Sequence, residues 1–154
     1  MAQQHGILAI ANLGVFWSEY THMISRRTDY SLILMQALKP TFRSGVFLSL
    51  EDIAQQYRLP HAYCEKLAHK LKEAGVLTSR VGKSGGYRLI KDPKTVSVQS
   101  LIDAFQKQPA IRCLLAPNAQ RSCALAATCP TKKGWRRIDA EIRKTLSRLT
   151  IANI

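Results

Sequence analysis

Acidic residues are scarce in this 154-residue chain, where 10 Asp and Glu stand against 23 Lys and Arg for a net charge of +13. A surplus of that size most often serves a polyanion, because each neutralised phosphate releases condensed counterions. Nucleic acid is the first partner to expect, and an anionic membrane surface the second. Long apolar runs are missing too. The longest, Ile7 to Trp17, is too short to cross a bilayer and has no Lys or Arg before it, so the expected setting is the cytoplasm, with no membrane partner. Only 4 cysteines occur, three of them within residues 113 to 129, which is too few and too clustered for a secreted disulfide scaffold. No Pro, Gly or Ser-rich linker and no internal repeat divides the chain, and its length suits one core with an appendage.

Signatures of catalysis are also lacking. The histidines at 5, 22, 61 and 69 have no zincin spacing, and no Ser or Cys stands in a nucleophile-elbow context. Gly82-Lys83-Ser84 has the ending of a phosphate-binding loop, but Leu77 replaces the glycine that motif requires and a strand follows instead of a helix. The expectation is a protein that is not an enzyme.

What is present has a clear order. From Ser25, apolar residues Ile33, Leu34, Ala37 and Leu38 recur at helical spacing, stop before Pro40, and give way to a polar turn over Thr41 to Gly45. Ser49 can cap a second helix, with Glu51 and Asp52 in its first turn and an end near Tyr57. Pro60 stands at a helix-opening position, after which Cys64, Leu67, Ala68, Leu71 and Ala74 share one face up to Gly75. Two helices joined by so short a turn form a helix-turn-helix. Val76, Leu77, Thr78 and Val81 then read as a strand, Gly82 to Gly86 as a turn, and Tyr87 to Ile90 as a returning strand. A mostly α chain with a small hairpin wing is the order of a winged helix, although a small α+β domain that binds nothing would show the same elements.

A further short helix is expected from Ser97 to before Pro109 on Val98, Leu101, Ile102 and Phe105. Trp135, Ile138, Ile142, Leu146 and Leu149 then mark a long basic helix, with no later segment to cover their stripe. Its natural partner is a second copy, making the protein a homodimer through this C-terminal helix. The expected organisation is an extension over 1–22, a DNA-binding unit over 23–108, a cysteine loop over 109–130, and a dimerisation helix with a tail over 131–154.

In this architecture the start of the second helix reaches base edges in duplex DNA, which places His61, Tyr63, Glu65 and Lys66 at the major groove. Glu65 can accept from a cytosine amino group, Tyr63 can stack or bond phosphate, and Lys66 suits a phosphate. Around the wing, Arg80, Lys83, Ser84 and Arg88 border a glycine-rich tip that can approach the minor groove. Cys64 lies on the apolar face and reads as core. The spacing Cys113-x9-Cys123-x5-Cys129 offers soft ligands for an iron-sulfur cluster or zinc, yet no Asp, Glu or His occurs between Ala104 and Ile138 to complete four. A disulfide with a spare thiol, or three unrelated cysteines, fits the same spacing.

With these pieces placed, residues 23–154 resemble the iron-sulfur winged-helix repressor family that includes Isc-type and nitric-oxide-sensing regulators. The resemblance rests on Ile24-Ser-Arg-Arg-Thr-Asp-Tyr30, Ala74-Gly-Val-Leu77, Gly82-Lys-Ser-Gly-Gly-Tyr87, the three cysteines, Trp135 and Leu149-Thr-Ile-Ala-Asn153. Gly134-Trp-Arg-Arg-Ile138 and Ala140-Glu-Ile-Arg143 look most like the branch that regulates SUF assembly genes. The resemblance implies that Cys113, Cys123 and Cys129 hold a 2Fe-2S or 4Fe-4S cluster, although the first cysteine spacing is longer than usual in the family. It implies Asp29 as a fourth ligand supplied across the dimer, as in the nitric-oxide-sensing branch. The Isc branch uses a histidine where this chain has Lys132, which excludes that ligation. Arg26 and Arg27, in the matched segment, join the DNA-binding set. Family members begin at the position of Met23, which makes residues 1–22 an upstream extension with a non-native start. The function so implied is a cluster-dependent regulator, a repressor of assembly or stress genes on a palindromic operator, in which cluster-loaded and cluster-free dimers differ in DNA affinity. The alternatives are a nitric-oxide sensor of the same family and a cluster-free zinc or thiol redox sensor.

Overall fold

In the computed structural model, which describes residues 25–105, 125 and 127–154, helix α1 (Arg26–Leu38) is opened by Ser25. The Ser25 hydroxyl accepts a hydrogen bond from the Thr28 amide at 3.3 Å, satisfying a first-turn donor that has no partner within the helix. Leu34, Met35 and Leu38 face inward at helical spacing and form the centre of the core. The expected polar turn after Pro40 is instead a one-turn helix, α2 (Thr41–Ser44), closed by Gly45 in the left-handed conformation at φ 72°. Thr41 explains the difference. Its buried hydroxyl donates to the Leu38 carbonyl at 2.6 Å and accepts from the Leu89 amide at 2.9 Å, so this turn ties the end of α1 to the wing.

Helix α3 (Leu50–Tyr57) begins at Ser49, whose hydroxyl accepts from the Glu51 amide at 3.1 Å. After Arg58 and Leu59, Pro60 caps helix α4 (His61–Glu73), the helix-opening position expected of it. Cys64, Leu67, Ala68 and Leu71 are the buried face of α4, as the sequence spacing predicts. Strand β1 (Leu77–Arg80) pairs antiparallel with β2 (Gly86–Leu89), Leu77 opposite Leu89 and Arg80 opposite Gly86. Val81 falls outside the strand expected to contain it and is 99% exposed at the start of the wing loop.

The hairpin has a short third member. Leu48 exchanges both backbone hydrogen bonds with Tyr87, at 3.0 and 2.8 Å. Gly86 permits this approach, because a Cβ there would lie 2.2 Å from the Leu48 carbonyl oxygen, and its φ of 133° also suits glycine alone. Helix α5 (Val98–Phe105) lies against α1, and helix α6 (Lys132–Arg148) against α5. Arg143 fastens that second contact, bonding Asp139 of its own helix at 3.0 Å and reaching Asp103 of α5 at 3.6 Å. After α6 the chain turns back. The Ile151 side chain is fully buried in the same core as Leu34 and Leu101, making the last residues part of the winged-helix unit. The tail expected merely to follow the dimerisation helix is thus an internal brace. The proposed extension over 1–22 and most of the 109–130 loop, including Cys113 and Cys123, lie outside the described residues. No helix among the described residues is long and apolar enough to cross a membrane.

Candidate nucleic-acid interface and cysteine site

Helix α4 buries one face, so the opposite face is fixed in solvent by the same periodicity. Ala62, Glu65 and Lys66 are exposed there, and His61 is half-buried at the helix start. His61 Nε2 stands 3.4 Å from Glu51 Oε2, a contact that bridges the turn between α3 and α4 and becomes an ion pair when the imidazole is protonated. Tyr63 is placed differently from its neighbours. Its ring meets Tyr30 of α1 edge to face, with centroids 5.6 Å apart, and packs against the core. At the far end of α4, Lys72 donates to the Ser79 hydroxyl at 2.7 Å and so ties this helix to the wing.

The wing arginines are held rather than extended. The Arg80 guanidinium donates to the Ser84 carbonyl at 2.7 Å, bracing the wing loop across its base. Its Cζ also lies 4.4 Å from the centroid of Phe47, and Arg88 Cζ lies 5.5 Å from the same ring. Lys83 is exposed at the tip, Ser84 is exposed beside it, and Arg26 and Arg27 are exposed at the start of α1. The residues expected to contact DNA therefore come from three places: the open face of α4, the wing and the first turn of α1. Phe47 is absent from the sequence reading. It sits in no periodic run, and its neighbourhood to two arginines arises only when Leu48 pairs with Tyr87.

Of the residues that the resemblance implies as cluster ligands, Cys129 and Asp29 are among those described. Cys129 lies just before α6, and its thiol is held below the ordinary value chiefly by a hydrogen bond with the Thr131 hydroxyl, 3.3 Å away. Backbone hydrogen bonding at Thr131 acts in the same direction, desolvation opposes it, and backbone hydrogen bonding at Lys132 and the Lys132 charge add lesser lowering effects. A thiolate so favoured is the donor an iron-sulfur cluster or zinc requires. Cys64 is the opposite case, fully buried in α4 with its thiol pushed up by desolvation, in keeping with a packing role. Asp29 is exposed in the first turn of α1. Among the described residues no three His, Cys, Asp or Glu side chains converge on one point.

A helix-turn-helix with an exposed outer face, followed by a basic hairpin wing, defines a winged-helix DNA-binding regulator. The profile of the Rrf2 family, described as iron-dependent transcriptional regulators, matches residues 24–154, and the chain belongs to that family. It is similar to the HTH-type transcriptional regulator IscR of Vibrio cholerae, with 30% identity over 106 residues, or 68% of this chain and 59% of the relative. It is likewise 29% identical over 108 residues to the protein rrf2 of Nitratidesulfovibrio vulgaris, covering 70% of each chain. The match thus spans about three-fifths of the IscR relative's own length. Among solved structures, the global cysteine regulator CymR of B. subtilis superposes with a TM-score of 0.67 at 26% identity, covering 84% of this chain and 93% of that one. IscR of T. potens does so with a TM-score of 0.65 at 25% identity, covering 84% and 83%. These relatives are named as transcriptional regulators, in keeping with the description of the family to which the chain belongs.

Proposed function

We propose that the protein is a homodimeric, iron-sulfur-dependent repressor that reads a palindromic operator with α4 and anchors itself through the wing. The observation that carries the DNA half of this reading is the exposed Glu65 and Lys66 face of α4 beside a wing bearing Arg80, Lys83 and Arg88. Glu65 is the sequence reader in this arrangement, and Arg26, Arg27, Lys66 and Lys83 are phosphate contacts. Truncating Glu65 to alanine is expected to relax preference at one base position by about 1–3 kcal/mol while leaving the salt dependence of binding unchanged. Selection from a randomised duplex library, followed by competition between the recovered sites, measures both. An equal loss on every sequence would remove Glu65 from the reading role.

The cofactor half rests on the donor chemistry of Cys129. Cys113, Cys123 and Cys129 would hold the cluster, with Asp29 of the other subunit as the fourth ligand. Bound there, an iron-sulfur cluster supplies a centre that reacts with oxidants and nitric oxide. Its regulated targets are iron-sulfur assembly or stress genes in this reading, in keeping with the IscR relatives. A second reading, a thiol or zinc sensor without iron, is favoured by the likeness to CymR, one of whose solved structures is described as an oxidized form. Anaerobic purification decides between them. Visible absorption with stoichiometric iron and sulfide supports the cluster, whereas a colourless protein supports the thiol or zinc reading. Asp29 is exposed in the helix's first turn, so Asp29→Ala is expected to preserve folding within about 1 kcal/mol. The same substitution is expected to change the cluster spectrum or shorten its lifetime in air, because a carboxylate completes a labile site. An unchanged spectrum and lifetime would exclude Asp29 as a ligand.

A further inference from the structure

We propose that Phe47 is a positioning residue for DNA binding, a ring on which Arg80 and Arg88 are laid to form one preset phosphate clamp per wing. The inference rests on the wing acting as the DNA anchor and goes beyond it by naming what holds the anchor in shape. Arg80 lies on β1 and Arg88 on β2, and the register sets Arg80 opposite Gly86 and Thr78 opposite Arg88. The two arginines are therefore diagonal neighbours on one face of the hairpin. Phe47 reaches both of them, at 4.4 and 5.5 Å. Its backbone is set by the adjacent Leu48 to Tyr87 bridge, and Gly86 is what allows that bridge to close.

Two like charges gathered on one ring repel each other, and among the described residues no carboxylate pairs with either of them. The ion pairs among the described residues join His61 to Glu51, His69 to Glu73, and Arg143 to Asp103 and Asp139. Arg80 gives one hydrogen bond, to Ser84, and Arg88 buries its Nε without a partner. With Nε buried, it is the terminal nitrogens of Arg88, which make no hydrogen bond or ion pair among the described residues, that remain for an anion, beside a second guanidinium and with the negative face of an aromatic ring beneath both. The missing component is an anion. A backbone phosphate supplies it, in a form that a planar guanidinium fork recognises. Holding both arginines beforehand removes the ordering cost that free side chains would incur on binding.

The test uses the full-length dimer and a fluorescein-labelled random-sequence duplex of about 30 base pairs, long enough for half-sites one turn apart. Anisotropy titrations over a range of KCl concentrations give affinity and its salt slope. Phe47→Leu keeps an apolar filler and removes the ring face, whereas Phe47→Tyr keeps the face. Phe47→Leu is expected to weaken binding by at least about tenfold and reduce the slope by about 2, one phosphate contact per wing. Phe47→Tyr is expected to match the parent protein. If Phe47→Leu retains the parent slope, or both variants lose it equally, the clamp is wrong and Phe47 is only packing. Should Phe47→Leu melt below the assay temperature, Phe47→Met takes its place as a more adaptable filler and is judged the same way. If the parent protein itself fails to bind the duplex, the fault lies with the wing as a DNA anchor, and the clamp falls with it.

Discussion

Ile151→Ala is expected to destabilise the protein by about 3 kcal/mol, within the range for removing a large aliphatic side chain from a core that cannot collapse around the void. Ile151 is 0% exposed and packs in the same cluster as Leu34, Leu38 and Leu101, although it stands only three positions from the last residue. Its backbone is fixed at both ends of the peptide unit. The amide donates to the Val96 carbonyl at 3.0 Å, and the carbonyl accepts from Gln36 Nε2 at 3.1 Å and Lys39 Nζ at 3.2 Å. Flanking bonds run from Val98 to Leu149 at 2.8 Å and from Ala152 to Pro93 at 3.2 Å, so the tail forms a small ladder with the segment before α5. Because these bonds hold the backbone, the chain cannot slide another residue into the gap, and the cavity persists. Urea denaturation at fixed protein concentration gives the change as a shift in midpoint at constant slope. A loss below about 1 kcal/mol would mean that the tail frays without disturbing the core.

Legibility in the sequence followed the range of the interaction concerned. Caps and periods are local, and they were readable: Ser25 and Ser49 accept from their own helices, and Cys64, Leu67, Ala68 and Leu71 form the buried face of α4. The hairpin was readable from its glycines, though not its edges, because Val81 has a strand former's side chain in a position where the chain has already begun to turn. Thr41 looked like a turn residue, and its role depends on Leu89, distant in sequence. Ile151 belongs to a segment that carries the family resemblance, but its burial left no periodic signal. The six residues after Arg148 are too short to show a period, and the burial of Ile151 is decided by Val96 and Gln36. The candidate site divides the same way. The open face of α4 follows from the helix period, whereas the Phe47 contact with Arg80 and Arg88 requires three segments to meet. Asp139 of α6 is buried and joined through Arg143 to Asp103, a contact with α5 that no periodicity announces.

The apolar stripe of α6 carries the remaining large prediction. Ile138→Asp is expected to convert the proposed dimer to monomers and to lower affinity for a two-half-site duplex by about 100-fold or more, since each recognition helix would then bind alone. Trp135 is 42% exposed, Ile138 47% and Leu149 37%, which is a large apolar surface for one helix to leave in water. Ile142 and Leu146, expected at the centre of the seam, are half-buried in the single chain, so substituting them mixes folding with association. Ile138 avoids that. A charge there costs the isolated chain little, but in a two-fold interface one substitution places two unpaired carboxylates at the seam, and each must be desolvated. The opposite side of α6 stays fastened to α5 through Arg143, which keeps the helix in place while its outer face is altered. Sedimentation velocity should therefore show a monomer whose circular dichroism and melting resemble those of a folded chain. A variant that remains dimeric at the same concentration would move the interface off this stripe. A variant that is monomeric and unfolded would show instead that the single chain depends on its partner for stability.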